Sequence, residues 1–388
     1  MSADNDLGHI FRESGPGYRV QHKVSSQQAK VMRKISQCRT PAMGSHVSKC
    51  NECGHIAVTY NSCRNRHCPK CQGFDAVQWV EKVQYDLLPV RYFHVVFTIP
   101  DSLNRIVLIN QRVMYDLLFK ASSDTIKQLA ADKKHLGIET GSLAVLHTWG
   151  QNLMDHPHIH MLVPAGGLDV VTGKWVDTSK KFFLPVKVVS AVFKGKFLGG
   201  LKSLYQDNQL KLIGSISDLA LKSTFKALLD QLYAKDWVVY TKKTFKSNIQ
   251  ILRYLGRYTH RIAISNNRIK RYDGQTITFD WKDYKDHNQR KQMVLEVHEF
   301  IRRFLLHVLP YSYHKIRYYG LFSLRNRLIR LNRVREMMSL QPHDQPFKKL
   351  NIGERIFNLT GVDITQCPCC KTGLMVPVTN ALDLRLSG

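Results

Sequence analysis

The segment from Cys38 to Cys71 constrains the fold more than any other, because cysteines and histidines crowd a stretch of otherwise polar sequence. About thirty residues of this kind cannot form an apolar core alone, so buried free thiols are a poor explanation and a bound metal is expected to supply the folding energy. Two Cys-x-x-Cys pairs, Cys50 with Cys53 and Cys68 with Cys71, offer four thiolates at the spacing of a tetrahedral zinc site. The sequence therefore predicts a zinc ribbon.

A second, interleaved zinc site is a further prediction for the same segment. Its ligands would be four candidate residues of the segment that do not belong to the two Cys-x-x-Cys pairs: Cys38, His46, Cys63 and His67. His22 and His55 compete for these positions, so the sequence predicts one or two zinc ions. Near the carboxyl end, Cys367 and Cys370 form another Cys-x-x-Cys pair, with Cys369 between them and no obvious partner pair after it. They are either half of a zinc site that another segment or subunit completes, or unbound surface thiols.

The charge balance indicates a polyanionic partner. Lys and Arg total 57 against 30 Asp and Glu, which gives a formal net charge of +27. A membrane surface is the rival polyanion, but the chain has no lipidation motif and no apolar run of roughly eighteen residues, and Met1 to Gly17 are too polar for a signal peptide. Nine cysteines without such a signal fit a reducing cytoplasm and favour metal ligands over disulfides. We therefore expect a cytoplasmic protein that binds nucleic acid.

Cationic side chains also lie inside the segment from Cys38 to Cys71, called the zinc-binding segment below, whose backbone a bound metal would make rigid. We expect them to contact DNA phosphates, although docking onto another protein would use the same surface. They are Arg64, Arg66 and Lys70.

The segment His156-Pro157-His158-Ile159-His160 predicts a metal site on a β-strand. On a strand, His158 and His160 project from one sheet face while Ile159 points to the other, so two neutral nitrogens can bind one ion. Gln151, across a turn at the end of the preceding strand, can bring an amide oxygen to the same face as a third ligand. Three protein ligands leave positions open for a phosphate oxygen and water, as a catalytic metal requires. Alternatives for the third ligand are His147, Asp155 and His156.

Tyr254 and Tyr258 lie four residues apart, which places them one above the other on a helix face. A phenol with an unperturbed pKa of about 10 is a poor nucleophile, but a metal-polarised phosphate or a nearby base would let it attack a phosphodiester. The alternative is that both rings pack in a core, which the cations of the same segment disfavour. These cations, which we expect to hold DNA phosphates, are Arg253, Arg257 and Arg261, with His260 beside them.

Three segments together resemble the rolling-circle transposases of the insertion sequence 91 family. They are Asn61 to Gln72, His156 to His160 followed by Gly166-Gly167, and Tyr254 to Arg261, in the family's order. The resemblance covers roughly Cys38 to Gly320. It implies a histidine-hydrophobic-histidine endonuclease of the two-tyrosine type, a superfamily shared with rolling-circle replication initiators and conjugative relaxases. The implied fold is a ferredoxin-like antiparallel sheet whose central strand carries His158 and His160.

The resemblance also implies a metal-dependent nuclease that cuts and rejoins single DNA strands. Magnesium or manganese would be the working ion and Gln151 the polar third ligand, and Tyr254 or Tyr258 would attack to give a 5′-phosphotyrosine and a free 3′-hydroxyl. The DNA partners would be single-stranded or hairpin transposon ends and target DNA, at the nucleoid of a bacterial cytoplasm. The chain has no Gly-x-x-x-x-Gly-Lys phosphate loop, so host replication and helicase proteins would unwind the DNA. Rival functions are a replication initiator or relaxase with the same nuclease, and a non-catalytic zinc-dependent DNA-binding regulator.

The pattern of elements predicts an α+β fold in which helices cover one face of an antiparallel sheet. Strands are expected at 92–99, 143–151, 157–164, 237–240, 261–265 and 276–281, and helices at 102–131, 187–234, 247–258 and 294–308. The expected units are a helical lead (1–36), a zinc-binding DNA-docking module (37–75), a linker helix (76–90), the metal-dependent tyrosine nuclease domain with insertions (91–345) and a tail with a cysteine cluster (346–388).

Overall fold

The computed structural model describes residues 6–178, 184–243, 256, 262–284 and 286–378. Its helices are α1 (Leu7–Glu13), α2 (Gly15–Gln21), α3 (Ser26–Gln37), α4 (Gln72–Asp86), α5 (Asn104–Ile109), α6 (Gln111–Ala131), α7 (Val186–Gln206), α8 (Lys222–Ala234), α9 (Val297–Leu306), α10 (Arg327–Met337) and α11 (Ile352–Thr360). Its strands are β1 (Ser45–Cys50), β2 (Ile56–Tyr60), β3 (Tyr92–Thr98), β4 (Ile138–Glu139), β5 (Ser142–Trp149), β6 (Asp155–Pro164), β7 (Gly166–Asp169), β8 (Trp175–Asp177), β9 (Val239–Lys243), β10 (Ile269–Tyr272), β11 (Thr276–Asp283), β12 (Gln289–Glu296), β13 (Ile316–Tyr319) and β14 (Met375–Pro377). Short 3₁₀ helices lie at Pro41–Met43, Asp101–Leu103, Gly214–Ala220, Asn266–Arg268 and Gly320–Phe322.

Five antiparallel strands form the central sheet, in the order β13-β5-β6-β3-β9. The middle strand is β6, which carries His158 and His160 and pairs with β5 on one side and β3 on the other. The predicted α+β fold and the predicted position of the histidine pair on the central strand are both confirmed.

Alternation with a period of two gives this sheet two different faces. Phe93 and Phe97 of β3 are buried on the same side as Ile159 and Met161 of β6, because alternate side chains of paired strands share a face. This side packs against α6 and α7, where the ring of Phe193 lies 4.9 Å from that of Phe97. Each such side chain contributes about 1.5–3 kcal/mol on burial. The apolar side therefore fixes the orientation of β6 and turns its histidines to the other face.

The histidine-bearing face is partly covered by α4. Trp79 and Val83 of this helix pack with Tyr92 of β3 and Leu162 of β6 in a second apolar cluster. The helix expected at 76–90 lies four residues earlier, at Gln72–Asp86, and begins directly after the last cysteine of the zinc-binding segment. The helix joins that segment to the histidine face of the sheet.

Both ends of the described chain pack onto other parts of the fold. In the helical lead, Phe11 meets Phe304 of α9 in an edge-to-face contact with ring centroids 5.5 Å apart. At the other end, β14 pairs with β1, so residues from the tail and from the zinc-binding segment form one three-stranded sheet, β14-β1-β2. The division of the chain into five units remains a prediction. The tail and the zinc-binding segment are in direct contact.

Several elements differ from their predicted lengths. The helix expected over 187–234 is divided into α7 and α8, because the left-handed backbone at Asn208 (φ 54°) and Gly214 (φ 60°) cannot continue a right-handed helix. The helix expected over 102–131 is divided at Asn110, and the one over 294–308 begins only after β12 ends at Glu296. Residues 262–265 form no strand, which corrects the strand expected at 261–265. No described helix is both long enough and apolar enough to span a membrane.

Candidate functional site

Three histidines converge on the face of the sheet that α4 partly covers. His158 and His160 alternate along β6, and His147 of β5 lies directly opposite His158 in the strand register. Each offers a ring nitrogen, and these nitrogens all lie within 4.8 Å of one another. His158 Nε2 and His160 Nε2 are 3.0 Å apart, which is the separation of about 3.0 Å expected for two nitrogens bound at right angles to one ion at about 2.1 Å. The trio could therefore hold one metal ion.

These imidazoles are held in the neutral form that a metal ligand requires. Burial, followed by the charge of His156, lowers the pKa of His158 to about 3. The pKa values of His147 and His160 lie well below the ordinary value for the same first reason, burial, with neighbouring histidines adding to it. At neutral pH all three rings therefore have a lone pair available for an ion.

Two further contacts orient the rings from behind. His158 Nδ1 lies 2.6 Å from the backbone oxygen of His156; because a carbonyl only accepts, Nδ1 donates and Nε2 is left for the ion. His94 Nε2 lies 2.7 Å from His160 Nδ1, and the two rings stack with centroids 5.0 Å apart. His94 was not identified from the sequence. The alternation of side chains along β3 places His94 on the same sheet face as the histidine pair. This can be recognised only when the pairing of β3 with β6 is known.

The predicted third ligand, Gln151, has its described contacts outside the histidine pair, and its role as a ligand stays a prediction. β5 ends at Trp149 with a register shift after His147, so Gln151 lies in the turn beyond the strand. There its Nε2 donates to Tyr284 Oη at 3.3 Å and its backbone oxygen accepts from Arg268. His147, named from the sequence as one alternative, is the residue that the structure groups with His158 and His160.

The other two alternatives, Asp155 and His156, are not members of the trio. The side chain of Asp155 shares the strand parity of Ile159 and lies on the α6 side, where its charge adds to burial in raising the pKa of Tyr115. Burial raises the pKa of Asp155 itself to about 7. His156 is exposed, its ring packs against that of His158 with centroids 4.9 Å apart, and its backbone oxygen accepts from His158 Nδ1.

The predicted nucleophiles, Tyr254 and Tyr258, lie outside the described residues, and so do Arg253, Arg257, His260 and Arg261. Gly256, between the two tyrosines, is described, and it packs against α4. A Cβ atom at Gly256 would stand 2.3 Å from Val80 Cγ2 and 3.7 Å from the backbone oxygen of Ala76. The glycine of the tyrosine motif therefore lies against the helix that also covers the histidine face.

The first group of four cysteines lies within the zinc-binding segment. Its members are Cys38, Cys63, Cys68 and Cys71. The Sγ atom of Cys71 lies 3.4 Å from that of Cys38 and 3.6 Å from that of Cys63. Four thiolates around one zinc ion at about 2.3 Å lie about 3.8 Å apart, so the spacing fits a structural zinc site. Cys38, Cys63 and Cys68 also belong to the main apolar cluster, which makes this group part of the core.

The second group joins the two ends of the chain. Cys50 Sγ lies 3.7 Å from Cys370 Sγ, and Cys53 Sγ lies 3.7 Å from Cys367 Sγ. The pairing of β14 with β1 brings the tail to this position. Of the alternatives predicted for the tail cysteines, completion by another segment is the one observed. Cys369 is exposed and belongs to neither group.

This arrangement corrects the predicted division of the zinc ligands. The pairs Cys50/Cys53 and Cys68/Cys71 lie in different groups, and neither histidine of the predicted second site is a member. His46 is exposed on β1. His67 is buried, with Nδ1 3.0 Å from Asn65 Oδ1 and Nε2 accepting from Leu309 N at 3.1 Å. Local spacing identified the thiolates but could not show which pairs meet.

The cations predicted to dock DNA divide into two kinds. Arg64 and Arg66 line a cavity beside α4. Lys70 instead forms an ion pair with Asp6 at 2.7 Å, which joins the zinc-binding segment to the helical lead. Arg64 and Arg66 therefore remain candidates for DNA contact, whereas Lys70 is paired with an acidic residue of the same chain.

Known proteins resemble this chain along most of its length. A family model described as "Putative transposase" matches residues 141–328, and one described as "Transposase zinc-binding domain" matches residues 10–99. "Putative transposase y4qJ" of Sinorhizobium fredii (strain NBRC 101917 / NGR234) is 42% identical over 376 residues, covering 96% of this chain and 94% of that protein. "Transposase for insertion sequence element IS801" of Pseudomonas savastanoi pv. phaseolicola is 27% identical over 374 residues, covering 95% and 86%. Among solved structures, the conjugative relaxase TrwC in complex with oriT DNA, in metal-bound form, matches 44% of this chain and 71% of its own at 13% identity, with a TM-score of 0.24.

Proposed function

Because the chain belongs to the insertion sequence 91 family of transposases, we propose that it nicks and rejoins single DNA strands through a 5′-phosphotyrosine intermediate during rolling-circle-type transposition. The observation that carries the proposal is the trio of neutral histidines, His147, His158 and His160, on the central strands of the sheet. The packing of Gly256 against α4 supports it, because that helix lies over the same sheet face.

The three histidines would hold one divalent ion, which when bound polarises the scissile phosphate and neutralises charge in the transition state. A set of three imidazole nitrogens contains no protein oxygen, and magnesium strongly prefers oxygen ligands. Of the two ions expected from the sequence, manganese is therefore the one that this set favours. His94 and the backbone oxygen of His156 would keep the rings in the orientation that the ion requires.

Tyr254 or Tyr258 would supply the nucleophile. The phenolic oxygen attacks phosphorus and forms a tyrosine–phosphate bond at the 5′ side of the break. The bond from phosphorus to the 3′ oxygen breaks, and that oxygen takes up the proton that the attacking phenol gives up, which leaves a free 3′-hydroxyl. A second attack by a 3′-hydroxyl reverses the step and rejoins a strand, and the second tyrosine would serve the other DNA end. Host replication and helicase proteins at the nucleoid would provide the unwound strand.

The test uses labelled single-stranded element ends incubated with manganese and the Tyr254→Phe, Tyr258→Phe and double variants. We expect a covalent protein–DNA adduct that is reduced in the single variants and absent in the double variant. The exposed Tyr233 of α8 provides a matched control, since Tyr233→Phe should form the adduct at the normal rate. An adduct of undiminished yield in the double variant would exclude both tyrosines. A wild-type protein that binds the ends but never forms an adduct would favour a non-catalytic DNA-binding protein.

We also propose that the two cysteine groups each hold one structural zinc ion. The S–S distances of 3.4–3.7 Å support this, and so does the match of residues 10–99 to the zinc-binding domain model. That matched range does not include the tail, so Cys367 and Cys370 would extend the zinc-binding unit beyond it.

A further inference from the structure

A cavity of about 580 Å³ lies between the zinc-binding segment, α4, the start of β13 and the segment that follows α10. Its lining includes the cationic residues Arg64, Arg66, Lys82, Lys315 and Lys349. Among the described lining residues only Asp75 is acidic, and its Oδ2 accepts a hydrogen bond from Gln72 Nε2 at 3.2 Å. Pockets of roughly 300–1,000 Å³ accommodate small ligands. The charge of this one selects an anion.

Lys315 is the cavity residue that packing alone does not explain. Only 6% of its surface is exposed, and its Nζ has no hydrogen-bond partner in the described part of the chain. Burial, and after it the charge of Arg66, lower the pKa of Lys315 to about 7. A buried ammonium group without a counter-ion is unfavourable. An anion that enters the cavity would supply that counter-ion.

The same lysine lies beside the histidine centre. Its backbone oxygen accepts a hydrogen bond at 2.8 Å from the nitrogen of Leu146, the residue before His147. Burial is the largest cause of the lowered pKa of both His147 and His67, and the charge of Lys315 lowers each further. Lys315 therefore lies within electrostatic reach of both the metal centre and the zinc-binding segment.

We infer that this cavity binds one phosphodiester of the single DNA strand, adjacent to the phosphate held at the histidine centre, with Lys315 as its charge partner and Arg66 beside it. The inference rests on the proposed function in taking a DNA strand as the substrate. Trp79 and Phe347 line the same cavity and offer an apolar wall to the sugar or base. A pocket of this volume has room for one nucleotide of a single strand.

The experiment measures binding of a fluorescent single-stranded oligonucleotide by anisotropy across a range of salt concentrations. Lys315→Met removes the charge but keeps the length of the side chain, and Lys226→Met on exposed α8 is the matched control. Both are made in the Tyr254→Phe/Tyr258→Phe background, so that no covalent step contributes. We expect Lys315→Met to weaken single-strand binding about tenfold. We also expect it to reduce the slope of log K against log salt by about 0.7, the contribution of one phosphate contact on a single strand.

Thermal unfolding separates loss of the site from loss of the fold, because replacing a buried unpaired charge should leave the midpoint unchanged or raise it. A Lys315→Met protein that is folded and binds single strands with the affinity and salt slope of its background overturns the inference. So does an equal loss in Lys226→Met. Binding in the nuclease-dead background does not depend on tyrosine chemistry. A normal adduct assay with an unchanged Lys315→Met slope would therefore refute the cavity site alone, and the reverse pair of results would refute only the proposed chemistry.

Discussion

Replacing Cys367 by serine should release the tail from the zinc-binding segment. Cys367 Sγ lies 3.7 Å from Cys53 Sγ, and the two residues are separated by 314 positions in the chain. The variant removes one of four thiolates from the group that also contains Cys50 and Cys370. Cys369→Ser is the matched control, because Cys369 is exposed, lies two residues away and belongs to neither group.

The free-energy balance that holds the tail in place without a metal can be summed from its other contacts. Hydrogen bonds join it to β1 and the turn after it, including Leu374 N to Asn51 Oδ1 at 2.8 Å and Val378 N to Val47 O at 2.9 Å. At about 1 kcal/mol each they sum to a few kcal/mol. Ordering about five residues of backbone costs about 5–10 kcal/mol, and apolar burial adds little because Leu374 and Val376 are about half exposed. The balance without metal is unfavourable by several kcal/mol, whereas a structural zinc site supplies about 10–16 kcal/mol.

Hydrogen exchange and elemental analysis test this prediction together. In a His158→Ala/His160→Ala background, where the histidine centre should bind no metal, we expect two zinc ions per chain, one in the Cys367→Ser variant and two in Cys369→Ser. Amide exchange in 374–378 should become fast only in Cys367→Ser, with α6 and β6 still protected. Two zinc ions and a protected tail in Cys367→Ser would refute the composite site, as would equal losses in both variants.

Three other substitutions test the site and its support. His147→Ala should reduce manganese-dependent cleavage of single-stranded DNA by a hundredfold or more, whereas Gln151→Ala should keep a cleavage rate within about threefold of the unchanged protein. Both effects are measured as initial rates of cleavage. A larger loss in Gln151→Ala than in His147→Ala would favour Gln151 as the third ligand. Burial lowers the pKa of His307 to about 4, below its unfolded value of about 6.5, so the unfolded chain takes up a proton first as the pH falls. The free energy of unfolding should therefore fall as the pH falls from 6.5 to 4, and His307 should account for about 1.4 kcal/mol of the loss per pH unit and about 3 kcal/mol in all. Urea unfolding should show a weaker pH dependence in His307→Gln. An identical pH dependence in the variant would contradict the lowered pKa of His307. Gly256→Ala should destabilise by about 1–3 kcal/mol, since its Cβ would stand 2.3 Å from Val80 Cγ2, and Val80→Ala should restore part of that stability; no rescue would argue against the contact.

Features with a local cause were predictable from the sequence. Alternation of apolar and histidine side chains around Ile159 was enough to place His158 and His160 on one face of a central strand. The thiolates of Cys50, Cys53, Cys68 and Cys71 were likewise recognisable from their spacing, because a Cys-x-x-Cys turn presents both sulfurs to one ion.

Features that depend on long-range pairing were not predictable. Completion of the second cysteine group requires β14 to pair with β1 across more than three hundred residues. The position of His147 opposite His158 follows from the register of β5 with β6, which no local pattern reveals. His94 and Lys315 are single residues on separate strands or strand ends, and they gain meaning only from the neighbours that the sheet gives them.

Peptide mapping of a trapped adduct tests whether the protein forms a covalent tyrosine–DNA intermediate. Trypsin cleaves after Arg253, Arg257 and Arg261, so Tyr254 and Tyr258 fall in separate four-residue peptides. After reaction with a single-stranded element end in manganese, mass spectrometry should find a nucleotide 5′-phosphate on one or both of these peptides and none when a chelator is present. A nucleotide on any other peptide, or an adduct that forms equally well without metal, would contradict the account.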